Sequence, residues 1–372
     1  MLFESQTPIL VASNMLLLVI IYYSLQPAYY QLTKNPPVRT YFGIFSIFLF
    51  TIFCFWILDW FGYQENYLQI RESEFFRERT HMEPVYIWII LWCPHYLVFR
   101  LVVFGGALLL AYLIFEHLEI DRDLVWFFFG VLFLPLFAYA RVSLAVVMML
   151  YGSVLICKPF QHRRTLSYFL GCFFLVVSVF FHKSAALGVL VALFSLFSRS
   201  TTKNSWFYLL VGFIISVVLI RILVELVLGG ALGGDDDMSA KGQHYLSGSG
   251  ASESGPGAMV AYLVERIPYY MVALLSFQIQ SEYVVPKHIE YIMKFDMYLI
   301  LMASIFAINV GADTSLMHIR LLRFSLVPNA IVLAYAYQYG LFVKLVKMTF
   351  FFGLTCVIYR LTYTLYNSFM ML

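Results

Sequence analysis

The sequence predicts an all-α, polytopic integral membrane protein of about twelve transmembrane helices, and three observations carry that prediction. Of the 372 residues, 62% are hydrophobic and only 12% are charged, against roughly 25% charged in a soluble domain. The mean hydropathy is +0.82. The apolar residues form a string of stretches of membrane-spanning or near-spanning length, so the bilayer organises residues 1–372 as a single transmembrane domain.

A run of about 20 apolar residues crosses a bilayer as a helix, and shorter runs cross where the protein is thin. The expected spans are 9–30, 41–60, 97–116, 124–139, 142–157, 166–181, 184–198, 206–228, 258–278, 291–310, 321–338 and 346–366. The fourth to seventh are short, with breaks at Arg141 and His182. Glu4 is the only charge ahead of the first stretch, which therefore reads as a retained helix rather than a cleaved leader. With the N-terminus outside, Lys34, Arg39, Arg122, Lys158, Arg163, Arg164, Arg199, Lys203, Lys287, Lys344 and Lys347 fall in inner connections, as the positive-inside rule asks. Outside, Arg71, Arg77 and Arg79 lie among Glu72, Glu74 and Glu78, a mixed-charge surface segment.

Two outer segments are long. Residues 61–96 begin polar and end in an apolar aromatic stretch, 84–96, which is too short to cross comfortably and suits a helix lying in the interface. Residues 229–257 are Gly/Ser-rich and polar, the composition of a flexible outer loop. The adjacent acids Asp235, Asp236 and Asp237 do not point one way and read as solvated loop. With no HExxH, no CxxC and no other ligand spacing, neither a metal nor a cofactor is expected. No basic run suits a nucleic acid.

Threaded in this way, Asp59, Glu83, Arg141, His182, Arg320 and Arg323 all reach the same membrane face. Charges at span ends are costly and mark functional sites, and this set suits an anionic substrate. Arg141 stands between two spans, where its planar fork can bind phosphate or anchor to headgroups. Arg320 and Arg323 share a helix face. They bind an anion between them or anchor the start of a helix. His182, at a break beside Lys183, suits a general base or a structural hydrogen bond. Glu83 precedes Pro84, so it is either a helix-start residue or a carboxylate presented for chemistry. Asp59 poses the same choice. Tyr262, Tyr269 and Tyr270 around Glu265 and Arg266 are candidates to meet sugars.

Taken together, Glu83-Pro-Val-Tyr86 before an amphipathic segment, Arg141 with Ser143-Leu-Ala145, Phe181-His182-Lys-Ser184 and the pair Arg320 and Arg323 resemble, in order and spacing over residues 55–340, the EpsG/Wzy-type bacterial polysaccharide polymerases. The chain departs from that pattern at Leu58-Asp59-Trp60, where the family often has Gly-x-Asp-Tyr, and at Val142, where Gln often follows the arginine. The resemblance implies a GT-C-like glycosyltransferase in the bacterial inner membrane. It would join repeat units carried on undecaprenyl pyrophosphate on the outer face, with membrane lipid and a chain-length regulator as partners. It further implies His182, Glu83 or Asp59 as catalytic residues. Arg141, Arg320 and Arg323 would bind pyrophosphate, and Tyr86, Lys183, Tyr269 and Arg266 would bind the rest of the substrate. The rivals are a sugar-lipid or solute transporter or flippase, and an O-antigen ligase or acyltransferase. A transporter would need polar residues lining both leaflets, whereas the charges at membrane depth are few: Lys294, Asp296 and Arg360.

Overall fold

The computed structural model describes residues 59–79, 82–133, 140–160, 162–197, 266–309 and 321–370. The expected spans 9–30 and 206–228, nearly all of 41–60, and the loop 229–257 lie outside these residues. Every regular element among the described residues is a helix. In chain order they are α1 (Asp59–Glu72), α2 (Glu74–Arg79), α3 (Pro84–Trp92), α4 (Tyr96–Arg100), α5 (Gly106–Leu118), α6 (Arg122–Phe128) and α7 (Ala140–Cys157). There follow α8 (Arg164–Phe181), α9 (Ala185–Phe197), α10 (Ile267–Glu282), α11 (Lys287–Asn309), α12 (Leu326–Gln338) and α13 (Val343–Met370). A π-helical turn, Leu101–Gly105, joins α4 to α5, so that Tyr96–Leu118 is one 23-residue apolar helix.

Local chemistry accounts for the element ends. Pro84 opens α3 at a position where its missing N–H costs nothing, and Pro94 lies just beyond its end. The Asp121 carboxylate caps α6, accepting from the Asp123 and Leu124 amides at 3.0 and 3.3 Å. α5 closes on Glu119 in the left-handed region (φ 59°). The segment 61–96 carries two buried helix contacts. Its polar first part lies in the helix α1, whose Tyr67 and Ile70 are buried. Tyr67 donates to the Cys93 carbonyl at 2.6 Å, and Arg71 bonds the same carbonyl, so tertiary contacts fix a segment whose composition reads as surface.

The hairpin of α7 and α8 is the frame of the site. A Cβ on Gly152 would lie 2.6 Å from the Gly171 carbonyl oxygen, so two glycines let the backbones touch. The contact face of α8 consists of Ser167, Gly171, Leu175, Ser178 and Phe181. Its opposite face exposes Phe169 (67%), Phe173 (51%), Val176 (55%) and Phe180 (54%). A soluble helix does the reverse, burying its large apolar residues. A face of exposed phenylalanines opposite small buried serine and glycine suits a helix that meets lipid on its outer side. The buried hydroxyls of Ser153, Ser178 and Ser195 bond back to carbonyls of their own helices at 2.7–2.8 Å, which satisfies these three without water.

Candidate functional site

Glu83 is the N-cap of α3 by position, yet its side chain makes no capping bond. One carboxylate oxygen, Oε1, accepts instead from His182 Nδ1 at 3.1 Å and from the Lys183 amide at 3.0 Å. These partners lie about a hundred residues along the chain. Glu83 is 2% exposed and His182 8%. The helix-start explanation predicts a side chain aimed at its own helix; the observed one is aimed across the fold. With Nδ1 donating to the carboxylate, the neutral ring carries its basic lone pair on Nε2. This is the arrangement in which a carboxylate orients a histidine base and stabilises its protonated form.

The chain reaches this geometry through a short break between two helices. α8 ends at Phe181, and His182 turns extended (φ −155°, ψ 118°). The Ala185, Ala186 and Leu187 amides then take the carbonyls of His182, Lys183 and Ser184 at 2.8–3.2 Å and start α9. Phe181 is fully buried, with Tyr86 edge-on at 5.8 Å, and Tyr86 meets Phe99 edge-on at 5.4 Å. The structure therefore places the Tyr86 ring in aromatic packing that seats α3 on α8. Lys183 gives Glu83 its backbone amide and keeps its side chain exposed.

The arginines are placed by register. A Cβ on Gly188 would lie 2.5 Å from Met149 Sδ and 3.1 Å from Phe324 Cδ1, so α7, α9 and the turn bearing Arg323 meet there. At about 1.5 Å per residue, Arg141 stands about 12 Å above Met149, and His182 stands roughly 10 Å above Gly188. Arg323, half-buried in the 3₁₀ turn Arg323–Ser325, is next to Phe324 at the lower level. Glu83, His182 and the Arg141 backbone thus lie at one end of α7–α9, and Arg323 lies about 10 Å deeper, at the level of Gly188. Asp59 opens α1 by backbone alone, and Arg320 lies outside the described residues. Arg266 and Tyr269, both buried, start α10. That helix packs on α11, α12 and α13.

One residue at this end escaped the sequence reading. Arg100 is 2% exposed, with its guanidinium over the Phe104 ring at 4.5 Å and near Tyr96 at 5.9 Å. The π-helical turn follows it directly, a feature that concentrates at functional sites. A Cβ on Gly106 would lie 3.7 Å from Leu144. Counting back from that contact puts Arg100 and Arg141 within about one turn of the same height. The available signal was an arginine inside the end of an apolar span.

The far end of the hairpin carries a second charged group. Lys158 Nζ donates to Glu119 and to the His117 carbonyl, each at 2.8 Å, and His117 Nε2 meets the Lys158 carbonyl. Arg122 pairs with Glu116 and Tyr112. The Asp121 amide donates to Gln338 at 3.1 Å. The Lys158 ammonium holds the Glu119 carboxyl below its ordinary pKa. Burial, then the same ammonium, lowers that of His288.

The sequence profile described as the EpsG family matches residues 39–371. No curated protein matches the chain, and no solved structure does.

Proposed function

Because this chain belongs to the EpsG family, a membrane-associated family of polysaccharide-polymerase type, we propose that it polymerises undecaprenyl-pyrophosphate-linked repeat units at the outer face of the bacterial inner membrane. The reading includes about twelve membrane-crossing helices in a GT-C-like arrangement, with 61–96 outside and 158–165 inside. The single observation that carries it is the buried Glu83–His182 pair, 3.1 Å apart.

In this mechanism His182 Nε2 takes the proton of an acceptor sugar hydroxyl. The hydroxyl oxygen forms a bond to the anomeric carbon of the donor glycan as the bond from that carbon to the diphosphate breaks. Glu83 fixes the imidazole and stabilises its positive charge. Arg141, Arg323 and Arg320 receive the charge that develops on the leaving diphosphate, where a planar fork is worth more than a point charge. Asp59 is held as the alternative base. Arg266 and Tyr269 are the proposed contacts to the remaining glycan, with Lys183 beside the base. The chemistry calls on no metal.

The test uses the purified full chain in lipid nanodiscs with a lipid-linked repeat unit. The wild type should build a ladder of lengthening polymer, and His182→Asn should not. A wild type that moves the lipid across a bilayer but never lengthens it would replace this reading with a transporter.

A further inference from the structure

The buried carboxyl that the mechanism leaves unused is Asp296, in the middle of α11. Asp296, Ser325 and Asn329 are all fully buried. With the Asn329 amide turned so that its nitrogen faces the acid, it donates to both carboxyl oxygens, at 3.1 and 2.8 Å. Ser325, one turn before Asn329, is buried beside this pair, and among the described residues its hydroxyl has no hydrogen-bond partner. The neighbouring Lys294 pairs with Glu290 at 2.7 Å. Among the described residues no cation pairs with Asp296.

The place this carboxyl grips is the junction that needs a tie. Pro328 has no N–H to carry the helical ladder back to Phe324. The chain there runs as the 3₁₀ turn Arg323–Ser325 before α12 begins. Ser325 and Asn329 bracket the weak point, and Arg323 sits at its start. An acid in the interior of a membrane protein is costly and persists where it has a task.

We propose that Asp296 is a positioning residue for Arg323: by holding Asn329, just past the 3₁₀ segment, it fixes the turn that aims the guanidinium at the diphosphate of the lipid-linked donor. The inference rests on the reading of Arg323 given above. A residue that acts only through another has no effect left once that other is lost, so the coupling between the two decides the matter.

The experiment measures kcat/KM for the lipid-linked donor, and thermal unfolding, in full-length Asp296→Ala, Asp296→Asn, Arg323→Lys and the Asp296→Ala/Arg323→Lys double variant. Asp296→Ala should lower kcat/KM about tenfold while unfolding near the wild-type temperature. Asp296→Asn, which keeps the volume and one carbonyl acceptor for Asn329, should recover most of that loss. The double variant should be no worse than Arg323→Lys alone. If the two losses multiply, Asp296 does not act through Arg323 and the inference falls while the function stands. If Arg323→Lys keeps full activity, the diphosphate role of Arg323 falls with it. Should Asp296→Ala fail to fold, Asn329→Ser, tested singly and with Arg323→Lys, carries the same comparison.

Discussion

The two ends of the α7–α8 hairpin use the same residue types to opposite effect. α8 alone separates them by about 27 Å. At one end a glutamate, a histidine and a lysine meet as Glu83, His182 and Lys183; at the other they meet as Glu119, His117 and Lys158. The Glu83 side chain is 3% exposed and that of Glu119 is 78%. Water and salt screen an exposed pair. A buried one interacts strongly, is costly to break, and holds its geometry. At the Lys158 end the bonds are local ties between α5 and the chain leaving α7. At the His182 end a carboxylate leaves its own helix unpaired to reach a histidine on another. The comparison teaches that residue identity marks both ends equally, and that burial with convergence distinguishes a site from a surface patch.

The largest effect that can break this comparison is loss of the base. His182→Asn and Glu83→Gln should each lower polymer formation by about 10²–10⁴-fold, the range for general base catalysis. Both proteins should remain folded by thermal unfolding. Activity within twofold of wild type in both would make the pair structural. Arg141→Lys comes next, keeping charge but losing the fork. A loss on the order of 3–4 kcal/mol in transition-state binding, roughly a hundredfold or more in kcat/KM, is expected. Near-normal polymer would make Arg141 a headgroup anchor.

Smaller effects test the frame. Gly152→Ala places a Cβ against the Gly171 carbonyl, 2.6 Å away. Forced overpacking of this kind costs about 1–3 kcal/mol, read as a lower unfolding temperature in detergent. Smallest is the Lys158 end, where Glu119→Gln and Lys158→Met should leave polymer length and yield unchanged. Its pH response has a fixed sign. The Glu119 carboxyl is depressed by Lys158, so its contribution is present above the ordinary carboxylate pKa and lost as pH falls through its lower folded value. His288, depressed by burial, likewise favours the fold while neutral and opposes it as pH falls. Acid titration of unfolding should therefore shift in Glu119→Gln and His288→Asn. An unchanged titration in both would remove these groups from the account of stability.

Much of the architecture is written in the sequence. Runs of apolar residues and the polar breaks between them are local properties, so the helices at 97–116, 142–157, 166–181, 184–198, 291–310 and 321–338 appear in the structure close to where composition puts them. Glu83 and His182 were both legible as candidates because a charge or imidazole at a span end is conspicuous in an apolar chain. Their contact was not legible. Nothing local links residues 83 and 182; tertiary packing, with Tyr86 between Phe99 and Phe181, brings α3 onto α8. Arg100 was hidden for the complementary reason. An apolar window absorbs one arginine, and only the register of Gly106 against Leu144 shows how near it stands to Arg141 in height. The burial of α1 was not legible because it comes from Cys93 and its neighbours rather than from its own pattern. By itself, then, the sequence determined which segments are apolar helices and which polar residues stand at their ends, since hydropathy is a sum over neighbours in the chain. Which of those polar residues meet, and which are sealed from water, was decided by tertiary structure, because burial and hydrogen-bond geometry depend on neighbours in space.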